Sequence, residues 1–431
     1  MPRADPARVV AFTVLRQVDA ADAYANLELA RQLQQSQLNA QDAAFATELV
    51  SGTLRLQGAY DAILEKLVRG ETKPEVRDAL RLGVHQLLSM RVPAHAAVAT
   101  TVDLVRQEIG RAPTGLVNAV LRRVSGRSFA QWTDDLSLAQ RYSHPEWVVA
   151  ELEQALGRRD ELEALLAANN DRPQVHLVAR PGLASVTELQ GQPTEVSPIG
   201  VVLPGGDPAR IPAVSEGRAG VQDAGSQLVA LLTASARVPG DDLWLDLCAG
   251  PGGKSAVLAA LARQQGVQFL ANEISPHRAK LVQQNLRRTG GMQLVADGRR
   301  PAWRGGAFSR VLVDAPCSGL GALRRRPESR WRRTPDDLAG LVNLQTELLR
   351  TAVDAVRPGG VVCYATCSPV LAETSGIINQ ALDQLPIRLE DAMEHFPQLE
   401  DAGSEQLPGA IQLWPHRHGT DAMFMALLRR Y

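Results

Sequence analysis

Lysine is nearly missing from this chain. Only four of the 46 basic residues are lysine (Lys66, Lys73, Lys254 and Lys280), and the rest are arginine. Aromatic residues make up 4% of the 431 positions, and cysteine occurs four times. All four cysteines (Cys248, Cys317, Cys363, Cys367) fall in the second half, and none belongs to a Cys-x-x-Cys pair. That excludes a disulfide-stapled miniprotein and is poor for structural zinc; it suits isolated thiols in a reducing compartment. No uncharged apolar run reaches the roughly 18 residues of a membrane helix, so no membrane partner is expected. The start, Met1-Pro-Arg-Ala-Asp-Pro6, has no apolar h-region, which points to the cytoplasm. With 45% hydrophobic and 22% charged residues the composition is that of an ordinary globular chain, which rules out wholesale disorder. At roughly 150 residues per domain the length allows about three domains.

Residues 1–130 read as an all-α domain. Val10, Val14, Leu15 and Val18 share one helical face, and similar stripes follow at 27–33, 45–56, 63–68, 76–88, 98–109 and 116–124. Gly70, Pro74, Pro93 and Pro113 punctuate them. His85 and His95 read as core or solvated histidines, and Ser125-Gly-Arg-Ser128 as a hinge. Residues 144–236 read as a small α+β domain with strands at 175–179 and 199–203. From 237 to 431 strands and helices alternate, as in an open α/β sheet of Rossmann type, which binds ligands at the carboxyl ends of its strands.

The first strand of that sheet runs into Asp246-Leu-Cys-Ala-Gly-Pro-Gly-Gly-Lys254-Ser255. A glycine-rich turn ahead of a helix lets backbone approach a ligand and aims free N–H groups at it. A P-loop requires glycine where Cys248 stands, and a dinucleotide fingerprint requires glycine where Ser255 stands. S-adenosyl-L-methionine carries no phosphate and needs instead an acidic residue closing each successive strand, for ribose and adenine. Asp246, Glu273, Asp297 and Asp314 meet that pattern in register.

Two further segments carry chemistry. Asp314-Ala-Pro-Cys317-Ser-Gly closes the fourth strand and Thr366-Cys367-Ser-Pro the fifth. Neighbouring parallel strands lie ~4.8 Å apart, so both thiols face one pocket if these two strands are adjacent. Cys363 and Cys367, separated by ~13 Å of extended chain, lie beyond disulfide reach; Cys363 is expected in the core. Spacing alone leaves open which of Cys317 and Cys367 is the nucleophile.

Together the glycine-rich loop, Asp314-Ala-Pro-Cys317 and Thr366-Cys367-Ser resemble the RNA cytosine-C5 methyltransferases of the Nol1/Nop2/Sun family. The helical front resembles a NusB-like RNA-binding domain, and Leu49-Val-Ser-Gly-Thr-Leu-Arg55, Asn118-Ala-Val-Leu-Arg-Arg123 and Tyr142-Ser-His-Pro-Glu-Trp147 are similar to stretches of a bacterial member of the methyltransferase family. The resemblance implies a class I S-adenosyl-L-methionine-dependent fold, an RNA substrate (16S rRNA, with tRNA the nearest alternative), and a monomer. It implies cofactor contacts from Cys248, Ala249, Gly250, Pro251, Gly252, Gly253, Lys254, Glu273, Asp297 and Asp314. It further implies Cys367 as nucleophile and Cys317 in product release, while Asp314 is the candidate partner for cytosine N3. Gly250 stands for a usual alanine, which is expected to loosen the loop, and Ala422 for a usual glycine. The run Arg324, Arg325, Arg326, Arg330, Arg332 and Arg333 is expected to grip the RNA backbone. A non-catalytic NusB-like RNA-binding factor and a P-loop ATPase are the competing readings.

Overall fold

Helix-starting and helix-stopping residues set the bounds of the first unit. The computed structural model describes residues 4–21 and 23–431. Its chain divides into two compact units, the first comprising Met1–Ala150, Leu166–Asp171 and Leu323–Arg332. Seven helices, α1 (Pro6–Ala21), α2 (Ala25–Gln35), α3 (Ala40–Arg55), α4 (Gln57–Glu65), α5 (Pro74–Leu88), α6 (Ala94–Glu108) and α7 (Thr114–Val124), form its bundle. Pro74 opens α5, where a missing N–H costs nothing, and the Asn39 side chain caps α3 by accepting from Asp42 N. α5 is buried nearly all round, which accounts for its mixed sequence. Its buried Asp78 accepts from Arg16 and Arg81, and Arg81 also donates to Asp61, so each interior charge has a partner. His85 is buried and accepts from or donates to the Tyr60 hydroxyl at 2.8 Å, and burial pushes its pKa down to about 3, so the ring is neutral. His95 is exposed.

Two expectations change here. Ser125–Ser128 is no loose hinge: Ser128 makes a capping box for the short helix Phe129–Thr133, and Trp132 is buried in the bundle core, donating from Nε1 to Val124 O. The arginine run is not a free RNA grip either. Arg324 is buried, and Arg330 is buried completely within this helical unit. The Arg330 guanidinium donates to Ser143 O and Asn170 Oδ1 at 2.9 Å and to Asn169 O at 3.3 Å, with a longer bond to Arg55 O. Those carbonyls end helices or turns and have no helical N–H of their own to accept from, so a five-donor fork is the one side chain that serves them together. Burial lowers its pKa to about 9, which leaves it charged at neutral pH.

The second unit holds two sheets. The smaller contains β1 (Val175–Ala179), β2 (Gln192–Pro193), β3 (Gly200–Leu203) and β4 (Ala219–Val221) in the order β2-β3-β1-β4, all antiparallel. The larger contains β5 (Leu243–Asp246), β6 (Gln268–Asn272), β7 (Met292–Leu294), β8 (Phe308–Asp314), β9 (Val356–Thr366), β10 (Ile387–Glu390), β11 (Ile411–Gln412) and β12 (Phe424–Arg430). Its order is β10-β12-β9-β8-β5-β6-β7, with β11 on β12. β5 to β9 pair in parallel, and β12 enters antiparallel between β9 and β10. Both faces are covered. Cys363 and Ala365 of β9 face the helices Ala224–Ser235 and Gly253–Gln264, while Val362 and Tyr364 face Pro335–Ala355 and Ser375–Gln384. Cys363 therefore sits in the core, as its position within the strand implies. Among the described residues no helix is long and apolar enough to cross a membrane.

Replacing Arg330 by Met keeps the length and removes every donor. We expect Arg330→Met to destabilise the helical unit by roughly 3 kcal/mol, since several buried carbonyls lose their partner. The check is hydrogen exchange on the full chain, with protection lost around Arg55, Ser143 and Asn169.

Candidate active site

Strand order reverses between β5 and β8: chain growth runs outward through β6 and β7 on one side and through β9 on the other. Loops leaving the carboxyl ends of β5 and β8 diverge there and leave a crevice. The turn after β5 fills its floor. Gly252 has φ 107° and caps the helix Gly253–Gln264, a conformation that favours glycine, and a Cβ on it would press on Val282 Cα at 2.8 Å. Gly250 lies against side chains rather than backbone. A Cβ there would meet the Glu273 carboxylate as it now stands, so this acid sits directly on the glycine. Glu273 Oε2 accepts from Gly250 N and Oε1 from Ser275 N, both at 2.9 Å. Cys248 and Ala249 complete the turn, and Ala249 N donates to Asn272 O across to the end of β6. Burial, with Asp246 and Asp314 nearby, pushes the Cys248 thiol up, so it stays protonated.

The structure brings three of the four predicted acids to this crevice from strand ends, Asp246 from β5, Glu273 just past β6 and Asp314 from β8. Asp297 departs from the expectation, because β7 stops at Leu294 and Asp297 lies in the following loop. There it accepts from Arg299, at 3.0 Å from Nε and 2.8 Å from Nη2, which holds its carboxyl below the usual range. Lys254 Nζ donates to Asp314 Oδ2 at 2.8 Å. Burial works against the charge on Lys254, but Asp314 and the nearby Cys367 outweigh it and raise the pKa, so the amine is a fixed cation.

At the ends of β8 and β9, Asp314 pairs with Ala365, and the chains continue side by side into the two cysteine loops. The sulfurs of Cys317 and Cys367 lie 3.5 Å apart. Their hydrogen-bonding contact, burial and the charge of Cys367 together push the Cys317 thiol well up. The charge of Cys367 also helps to hold the proton on Lys254, which places that amine near the pair.

Several residues here were not anticipated. Ser255 Oγ donates to Asp246 Oδ2 at 2.6 Å, and Asn272 Nδ2 ties Leu247 O to Ala296 O, joining the loops after three strands. Gln222 packs against the turn, its amide atoms 3.7 to 3.9 Å from where a Cβ on Gly253 would stand. Both Gln222 amide atoms and Asp246 Oδ1 are buried without a hydrogen-bond partner. Orphaned buried polar atoms around a backbone cradle fit a small zwitterionic ligand with hydroxyl groups. S-adenosyl-L-methionine is such a molecule, and these residues would hold its methionyl end and ribose.

A family model described as 16S rRNA methyltransferase RsmB/F matches residues 236–429, and a NusB family model matches residues 5–126. A probable ribosomal RNA small subunit methyltransferase B of Synechocystis sp. is 33% identical, over 98% of this chain and 99% of its own length. The chain belongs to the RsmB/F methyltransferase family. As an RsmB/F protein it is an S-adenosyl-L-methionine-dependent RNA methyltransferase with a NusB domain in front. The putative methyltransferase Rv1407 of Mycobacterium tuberculosis is 50% identical over 99% of this chain and 97% of that protein. The RsmB/F fold recurs in the crystal structure of PH0851, with TM-score 0.80 and 23% identity over 99% of both chains.

Asp246 yields a pH signature. Burial, with a smaller contribution from Asp314, raises its pKa from 3.8 to about 7 against the opposing Ser255 bond. Between those values the folded state holds the extra proton, so its stability falls as pH rises. Asp246→Asn should flatten that decline, read by urea denaturation of the unliganded protein at several pH values within the window. Gln222→Ala should raise the dissociation constant for S-adenosyl-L-methionine about tenfold, the worth of one hydrogen bond, by titration calorimetry.

Proposed function

We propose that this protein methylates carbon 5 of a cytosine in small-subunit ribosomal RNA through a covalent adduct on Cys367. The observation that carries the reading is the pair of thiols 3.5 Å apart at adjoining strand ends, beside the Lys254–Asp314 ion pair. The choice of RNA is supported by the name of the Synechocystis relative and by the NusB domain.

Carbon 5 of cytosine is a weak nucleophile until the ring is activated. The Cys367 thiolate, kept in reach of the Lys254 cation, adds to carbon 6; the S–C6 bond forms and the electron pair moves onto carbon 5. Asp314 is assigned to ring N3, where a proton shared with the Lys254 pair neutralises the developing charge. S-adenosyl-L-methionine, when bound, supplies the sulfonium methyl group that carbon 5 takes. Release then needs a base. Once the sulfur of Cys367 is a thioether, the negative charge that held the proton on Cys317 is gone, and its thiol becomes easier to ionise. Cys317 releases its own proton to solvent and, as thiolate, removes the carbon-5 proton; the C5=C6 bond reforms, the S–C6 bond breaks, and the N3 proton returns to the carboxylate pair. A cytosine buried in paired RNA has to be turned out of its stack or presented in a loop to reach these groups.

RNA carrying 5-fluorocytosine cannot lose its carbon-5 substituent as a proton, so the methylated adduct accumulates. With 16S rRNA fragments and S-adenosyl-L-methionine, a protein–RNA adduct is expected on a denaturing gel for wild type and Cys317→Ala, and none for Cys367→Ala. The opposite mutant pattern would exchange the roles of the two thiols. Trapping by tRNA alone would move the substrate, and trapping by no RNA despite cofactor binding would favour a non-catalytic RNA-binding factor.

A further inference from the structure

Glu373 is completely buried, yet it belongs neither to the cofactor crevice nor to any of the recognised motifs. It ends a short turn, Leu371–Glu373, ahead of the helix Ser375–Gln384. Its carboxylate accepts four hydrogen bonds. Oε1 takes Ser318 N at 2.8 Å and Gln345 Nε2 at 2.9 Å; Oε2 takes Ser318 Oγ and Ser368 Oγ, each at 2.6 Å. Ser318 follows Cys317 and Ser368 follows Cys367. The two serine oxygens are themselves 3.0 Å apart. The Tyr364 hydroxyl donates to Glu373 O at 2.9 Å, and Gln345 donates also to Pro316 O at 2.8 Å, so the turn and the loop before Cys317 are pinned as well.

We propose that Glu373 is a positioning residue whose buried carboxylate clamps the Cys317 loop to the Cys367 loop and thereby sets the separation of the two thiols. The loops are also joined directly by the two serine hydroxyls and by Gly321 N donating to Cys367 O at 2.9 Å, the latter on the far side of Cys317 from the strand. A carboxylate is suited to the clamp because it is all acceptor. Each of the four donor groups, two of them on Ser318, brings a proton, and the charge strengthens each bond in a dry interior. An amide in the same place would face one or two of those donors with an N–H. The charge has a second effect. Glu373 contributes to holding the proton on Cys317, while Lys254 and Cys367 favour each other's charge. An anion and a cation therefore bias the two sulfurs, and the negative charge of the pair belongs on Cys367.

The inference rests on Cys317 and Cys367 being the reacting pair, and the test separates the two ideas by measuring thiol geometry without RNA. Diamide takes two protons and two electrons from a pair of thiols as their S–S bond forms and is itself reduced to the hydrazine, and the rate reports how often the sulfurs meet. In the full-length protein, Glu373→Gln, Ser318→Ala and Ser368→Ala should each slow formation of the Cys317–Cys367 disulfide severalfold, followed by peptide mass. Binding of S-adenosyl-L-methionine should stay at the wild-type level, since no clamp residue lines the turn after β5. Methyl transfer should fall roughly 100-fold in Glu373→Gln, the scale expected when reacting groups shift by about 1 Å. The pH dependence of its residual turnover should move to lower pH, because Cys317 loses the neighbouring anion. Folded serine variants that cross-link at the wild-type rate overturn the clamp, and they decide the matter even where Glu373→Gln does not fold. Slower cross-linking in an enzyme that methylates no RNA would support the clamp and count against the catalytic reading.

Discussion

The parallel register of β8 on β9 is the constraint on which the reacting centre depends. Asp314 stands opposite Ala365, and Ala315 N donates to Ala365 O just past the end of the strand. Side chains three residues beyond one position and two beyond the other are thereby delivered to the same place. A slip of one residue would turn every side chain of a strand to its other face. Cys363 would then leave the helical layer it packs in and Tyr364 would enter it, so burial of β9 on both faces holds the register. The thiols inherit their alignment from the core.

On that scaffold, charge is laid out by burial. Lys254, Asp314, Asp246, Glu273 and Glu373 are all ionisable groups withdrawn wholly or partly from water, and each is matched differently. Glu273 and Glu373 are satisfied by backbone and hydroxyl donors, Lys254 and Asp314 by each other, and Asp246 only in part. Water is displaced from such a place at a cost, and a group left short of partners is one held ready for a ligand. The incomplete set is Asp246 Oδ1 with the Gln222 amide, and it is there that we propose the methyl donor is held.

Much of this was legible in the chain. Glycine turns, strand-end acids and two cysteines each followed by serine are local patterns, and local patterns keep their meaning whatever packs around them. The sheet and the helical bundle were legible for the same reason, from periods of two and of 3.6. The departures have two sources, element boundaries and contacts distant in the chain. Asp297 is engaged by Arg299 because β7 stops early, a boundary that propensity does not resolve. Glu373 and Gln222 show nothing in their own neighbourhoods; the first becomes visible only when two loops fifty residues apart in the chain close on it. Arg330 looked like one cation in a basic run, and only its burial among carbonyls separates it from exposed Arg326. Composition weighs a charge without saying whether it faces water.

The helical unit is not a continuous stretch of chain. Its last piece, Leu323–Arg332, is encoded directly after the Cys317 loop, and Leu166–Asp171 is another late contribution. A gene cut anywhere in the region joining the two units thus yields no tidy halves. The front fragment would lack the guanidinium that ties off its carbonyls, and the back fragment would carry an orphaned segment with buried-type residues Leu323 and Pro327 turned to solvent. Each unit is thus assembled from separate stretches of chain, and neither is encoded by one continuous segment.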